Sequence, residues 1–138
     1  MAAHLEESVK VTSAQLASQT LAELDKRGWC KRATEDGEGK VCFSGAVYYA
    51  LRMLSPQEHW DQSGLHTLRA VAVHTAEKLF PERDFYIDRY EIVDEGILTT
   101  RCKTIESFND HPATTEEDVR LVLKHLATAE DDTSSLAV

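Results

Sequence analysis

Between Ser44 and Leu54 the chain is apolar on almost every helical face. Ala46, Val47, Ala50, Leu51 and Leu54 recur at helical spacing, and Tyr48, Tyr49 and Met53 fill other sides. A helix without a broad polar face belongs at the centre of a core, with other elements covering it. This feature limits the fold more than any other in the sequence. Two further segments have the pattern expected of covering helices. Leu65, Leu68, Val71, Ala72, Ala76 and Leu79 form a stripe from Gly64 to Phe80, with Ser63 as cap and Pro81 as stop. Val119, Val122, Leu123 and Leu126 form another, opened by the capping box Thr114 to Glu117; Thr115 with the shorter Asp118 fits less well.

An earlier helix runs from a cap at Thr12 or Ser13 to about Arg27, with Leu16, Ala17, Leu21 and Leu24 as a partial stripe. Gly28 can end it in the left-handed conformation, which would fold Trp29 back onto Leu24. The expected fold is therefore mainly α (α+β). It is one helical domain over residues 1–128, held by the second, third and last helices, with a flexible acidic tail over 129–138. Trp29, Val47, Ala50, Leu51, Leu68, Ala72, Leu79, Val119, Val122 and Leu126 are the expected core.

Two stretches have β character. Trp29 to Arg32 and Lys40 to Phe43 flank Thr34-Glu35-Asp36-Gly37-Glu38-Gly39, which reads as a loop between two short strands. In residues 84–100, Phe85, Ile87, Tyr90, Ile92, Val93, Ile97 and Leu98 are strand-prone, and Asp94-Glu95-Gly96 offers a turn. A helix through Tyr90 competes with that hairpin, and the pattern leaves both open. A short helix is expected over Thr104 to Phe108.

Composition removes several classes of function. A net charge of −9 argues against sequence-independent binding to nucleic acid, which needs a basic face. No apolar run approaches the ~18 residues of a membrane span. The acidic start Met1-Ala2-Ala3-His4-Leu5-Glu6-Glu7 has no apolar export segment. Cys30, Cys42 and Cys102 make no disulfide framework, so reduced thiols and a cytoplasmic location are expected.

Two segments carry a resemblance. One is Arg27-Gly28-Trp29-Cys30, followed after a short loop by Gly39-Lys40-Val41-Cys42-Phe43-Ser44-Gly45-Ala46. The other is Ile105-Glu106-Ser107-Phe108-Asn109-Asp110-His111-Pro112, followed by Thr114-Thr115-Glu116-Glu117-Asp118-Val119. Together they resemble a small family of uncharacterised proteins from actinobacteria and their phages, a domain of unknown function. Its pattern runs "GW", a turn, "G-x-x-C-x-x-G-A", then "W-N-D-x-P" before a capped helix. Phe108 stands where the family usually has Trp, and residues 81–100 fit poorly. The resemblance implies a compact domain of actinobacterial or phage origin. It implies no activity, and no functional residue follows from it.

Cys42 is the sharpest chemical candidate. A thiol just before a helix can be activated by backbone N–H groups and the dipole. His111, beside Asn109 and Asp110, offers the base and orienting group that a cysteine nucleophile needs. The plainer reading makes Cys42 a small buried residue where a strand meets a helix. Asn109-Asp110-His111-Pro112 likewise reads as a tight connection whose side chains accept backbone hydrogen bonds; Asp110 would hold the last helix or the Trp29 region. Cys30 and Cys42 could pair or bind zinc, but no C-x₂-C knuckle and no His-Glu-x-x-His is present, and His59, His66 and His74 lack an i, i+4 spacing. Arg101 and Lys103 flank Cys102 and could lower its pKa. Gly37-x-Gly39-Lys40 lacks the order of a phosphate loop. Glu116-Glu117-Asp118 and Glu130-Asp131-Asp132 read as a helix start and a solvated tail rather than a mimic of nucleic acid.

No catalytic set, cofactor or metal is assigned on these grounds; Cys42, His111 and Asp110 are candidates that fall short of assignment. The leading expectation is a non-enzymatic binding or regulatory protein whose partner is a protein; a phage-encoded protein directed at a host protein is one form of it. A cysteine-dependent enzyme using Cys42 is the alternative. Oligomeric state stays open. The tail yields the first prediction. After Leu126 the apolar spacing stops, and the following acidic and hydroxyl residues offer little burial to offset ordering entropy. Truncation after Thr128 is expected to leave the melting temperature unchanged in a thermal scan, and a clear drop would show that the tail docks on the body.

Overall fold

The computed structural model describes residues 11–55 and 63–129. Five helices and one antiparallel hairpin lie in this part of the chain: α1 (Ser13–Arg27), α2 (Phe43–Leu54), α3 (Ser63–Leu79), β1 (Tyr86–Val93), β2 (Gly96–Lys103), α4 (Ile105–Asp110) and α5 (Glu116–Thr128). None of these helices is long and apolar enough to cross a membrane. His59 and most of the acidic tail lie outside the described residues.

The nearly all-apolar segment becomes α2, which buries one face in the core and leaves Tyr48, Arg52 and Met53 exposed, so it is not covered on every side as its pattern suggested. Phe43, Ala46, Val47 and Ala50 have no exposed surface, and Leu51 is 3% exposed. Leu16, Ala17 and Leu24 of α1, Leu68, Ala72 and Ala76 of α3, and Val119, Val122, Leu123 and Leu126 of α5 complete the same core, with α5 seated mainly on α1 and α3. The first helix contributes more than its partial stripe suggested, and it packs most extensively against α2 and α5. Thr20 and Glu23 add burial beyond the stripe, and their side chains find partners within the helix. Thr20 Oγ1 donates to the Leu16 carbonyl at 2.6 Å, and Glu23 is met by Arg27 at 2.8 Å and Gln19 at 3.1 Å. Trp29 and Leu79, expected in the core, are half-buried and lie against it.

Several local expectations shift. The opening cap is Thr12, in a reciprocal box with Gln15. The α5 box is Thr115 with Asp118, one residue later than the pair Thr114–Glu117. Thr114 is buried instead, and its hydroxyl accepts from Arg83 Nη1 at 3.2 Å. Gly28 has φ 91° and ψ 167°, so it ends α1 with positive φ but outside the left-handed helical well. Its N–H still donates to the Leu24 carbonyl at 2.8 Å.

The strand pair expected on either side of the 34–39 loop does not form as a hairpin. Only isolated bridges occur: Trp29 to Val41, parallel, and Glu35 to Val41, antiparallel. The chain reverses early, at Arg32 with φ 67°, and winds around Val41. The Asp36 turn is present, with Asp36 Oδ1 accepting from the Glu38 and Lys40 N–H groups at 2.9 Å each. In residues 84–100 the hairpin prevails over the helix. β1 and β2 pair from Tyr86–Lys103 to Val93–Gly96 around a two-residue turn.

Gly45 shows how tightly the start of α2 is seated. The Thr34 carbonyl lies over it, and a Cβ placed at Gly45 would stand 2.3 Å from that oxygen. The same carbonyl accepts the Cys42 N–H at 3.2 Å, so it cannot move away without loss. Gly45→Ala is expected to cost about 1–3 kcal/mol through overpacking, read by chemical denaturation. A variant as stable as the parent would show that the 31–36 loop yields easily.

Candidate functional site

The motif segments converge on one buried side chain, Asn109, which has no exposed surface. Its Oδ1 accepts from Trp29 Nε1 at 2.7 Å and from the Phe43 N–H at 3.1 Å. Its Nδ2 donates to the Cys30 carbonyl at 3.1 Å and to Asp110 Oδ1 at 3.0 Å. Both acceptor sites and both donors of the amide are therefore used. Asp110 Oδ1 also accepts the Arg32 N–H at 2.8 Å, which holds the positive-φ residue in place. The sequence offered Asp110 as a partner of the Trp29 region; Asn109 binds the indole, and Asp110 binds three residues further on.

Cys42 caps α2. Its Sγ accepts the Gly45 N–H at 3.4 Å, and the residue is 5% exposed. Burial pushes this thiol up from its ordinary value, against the lowering effect of the Gly45 and Ser44 N–H groups. His111 is held elsewhere: its Nδ1 accepts the Ala113 N–H at 3.0 Å, and its carbonyl accepts from Lys31 Nζ at 2.8 Å. Cys42 forms no hydrogen bond to His111 or Asp110 among the described residues.

The other two thiols are free as well. Cys30 Sγ donates to the Lys40 and Ala33 carbonyls at 3.3 and 3.4 Å, and burial, with Asp36 nearby, pushes it up too. Cys102 lies on β2, where Arg101 and Lys103 point to the opposite face. Those cations are engaged by Asp84, Asp88 and Glu77. No cluster of three metal-capable side chains assembles among the described residues.

A cleft of about 360 Å³ lies where the hairpin joins the body, lined by Phe85, Tyr86, Glu106, Ser107, Asp110 and His111 among others. It brings together Asp110 and His111 but not Cys42. Glu106 belongs to a cluster that sequence spacing offered no means to find. It accepts from Ser44 Oγ at 2.6 Å and forms an ion pair with Arg69. Burial pushes its carboxyl up, but the Arg69 and Ser44 hydrogen bonds outweigh this and hold it below its ordinary value. The groups in and beside the cleft are thus largely committed to each other.

The surface that stands open is the hairpin. Every residue of β1 is exposed, as is most of β2. Ile92 is 90% exposed, Ile97 69% and Tyr90 68%, with Ile87, Val93 and Leu98 also exposed. Only its root is anchored, by Phe85 at 2% and Ile105 at 1% exposure. Phe85 meets Phe108 edge-on at 5.4 Å between ring centroids. Strand propensity in 84–100 signalled the element, and the absence of a regular apolar–polar alternation was the available sign that neither face packs on the core.

The amide geometry generates a prediction. Asn109→Ala would leave the Phe43 N–H, the Cys30 carbonyl and the Trp29 indole without their partner, and is expected to cost about 3 kcal/mol or more. Asp110→Ala should cost less, about 0.5–2 kcal/mol. Equilibrium unfolding of both variants checks the order. The reverse order would move the centre of the network to Asp110.

Residues 8–129, which include every group of this network, match the model of a family of unknown function, DUF6197, and the chain belongs to that family. No curated protein and no solved structure matches it.

Proposed function

We propose that this protein is a non-enzymatic binding or regulatory protein that acts through protein–protein contacts, with the β1–β2 arm as its contact element. One observation carries the reading: a two-stranded ribbon projects large apolar side chains into solvent on both faces. A lone hairpin is marginal in water, and exposed apolar patches of this kind serve association. The strand edges add unpaired backbone groups that a partner strand can use. The committed hydrogen bonds of Asn109, Asp110 and His111, and the sealed, poorly ionising thiol of Cys42, agree with structural roles for the residues that would otherwise suggest a cysteine-dependent enzyme.

The resemblance to proteins of actinobacteria and their phages supports one form of this reading, a phage-encoded regulator directed at a host protein. The test compares affinity capture from actinobacterial lysate by the parent protein and by an Ile92→Asp, Ile97→Asp variant. Both side chains are exposed, so the variant should keep its melting temperature. A host protein retained by the parent and lost by the variant is the expected result. Equal retention by both would remove the arm from the contact, and failure of both to retain any protein would count against a host target.

A further inference from the structure

We infer that the arm pairs with a second copy of this chain, β1 against β1 in antiparallel register, to give a dimer with a continuous four-stranded sheet. The inference rests on the reading of the arm as a contact element and names the first partner of that surface.

The free edge comes first. Within the described residues β1 pairs with β2 alone, so its other edge is open. The two-residue turn closes on Val93 and Gly96, which makes that pair one of those that exchange both backbone hydrogen bonds. By alternation, Asp88, Tyr90 and Ile92 then turn their N–H and C=O groups outward. Those three groups in a row are what an added strand requires.

The side chains select the partner. One face of β1 reads Ile87, Arg89, Glu91, Val93: apolar, positive, negative, apolar. This order is complementary to itself when reversed. With a two-fold axis through Tyr90, Ile87 faces the other copy's Val93, and Arg89 faces its Glu91, each contact occurring twice as an isologous interface demands. The outward groups also match, because Asp88, Tyr90 and Ile92 then face Ile92, Tyr90 and Asp88 of the second copy. The two tyrosines meet at the axis as a cross-strand aromatic pair. Moving the axis one residue either way opposes Arg89 to Arg89 or Glu91 to Glu91, which the charges resist.

Two further observations favour this occupant. Arg89 and Glu91 form no ion pair among the described residues, although Arg101 and Lys103 on the neighbouring strand do. Their charges are therefore available. The β2 edge lacks the property: its only charged side chains are Arg101 and Lys103, both positive, and Lys103 is held at the root by Glu77 of α3. Self-complementarity is a property of β1.

Sedimentation equilibrium from about 1 µM to about 1 mM tests the inference on the full chain. The parent protein should reversibly dimerise. Arg89→Glu and Glu91→Arg should each weaken the homodimer about tenfold or more, since each replaces two attractive cross-strand pairs with two repulsive ones. Mixing the two variants should restore association as a heterodimer, because one copy then presents two acids at positions 89 and 91 and the other two bases, so that both cross-strand pairs are attractive again. Both substitutions lie on an exposed arm, and unchanged melting temperatures would confirm that the body is intact. A parent protein that stays monomeric throughout overturns the inference, and so does association indifferent to both substitutions or a mixture no tighter than its components. None of these outcomes bears on capture of a host protein by the arm, which is decided separately by the face variant.

Discussion

The carboxamide of Asn109 is the interaction on which the rest of the body depends. It is buried, and a buried amide is tolerable only when its hydrogen-bonding capacity is met. Here four bonds meet it; one goes to the neighbouring Asp110, and the other three reach Trp29 just beyond α1, the first residue of α2 and the chain between them. One side chain on α4 therefore ties the segment that leaves α1 to the start of α2. The bonds to these segments span 66 to 80 residues of sequence, so they exist only once the long-range packing has formed. Net, each contributes about 1 kcal/mol, while each buried partner left unmet would cost more. That asymmetry makes the network specify one arrangement rather than merely add stability.

Phe108, beside it, explains how the aromatic position before the Asn-Asp pair is used. It has no exposed surface and lies between Phe80 at 5.6 Å and Phe85 at 5.4 Å, measured between ring centroids. Phe80 follows α3, and Phe85 precedes β1. The same short helix thus carries the polar bond that sets α1 against α2 and the aromatic cluster that sets α3 against the root of the arm. Beyond that root the arm contributes no buried side chain to the core. Closed body and open arm are adjoining consequences of where Phe85 and Ile105 stop packing.

Cys42 illustrates why a motif residue at a helix start is not thereby a reactive one. The N–H groups there do favour a thiolate, and Gly45 supplies one. Burial acts in the opposite direction and prevails, and the sulfur caps the helix through the Gly45 N–H. Gly45 completes the motif by leaving room for the Thr34 carbonyl. Capping by Cys42 and the close approach at Gly45 account for these two positions of the Cys-x-x-Gly-Ala pattern.

How much of this was legible in the residues depends on the range of the forces involved. Apolar periodicity alone determined the buried faces of α2, α3 and α5 and the mainly helical class, because burial of a stripe is set by local spacing. The pair Thr12-Ser13 and Gly28 marked the limits of α1 for the same local reason, and the structure chose Thr12 as the cap. The sequence held two readings of residues 84–100 in balance, and the structure chose the hairpin, whose cross-strand pairs no helical spacing could supply. It favoured Thr114 over Thr115 as the cap, whereas Thr114 is buried beside Arg83 and Thr115 caps. It placed hydrogen-bonding residues at Asn109 and Asp110 and offered the Trp29 region to Asp110, but not the partners of Asn109, since those lie on segments that meet only after folding. What tertiary structure decided was which polar groups are sealed and which apolar ones remain in water. Both follow from the balance between packing and desolvation over the whole chain, which no local pattern encodes.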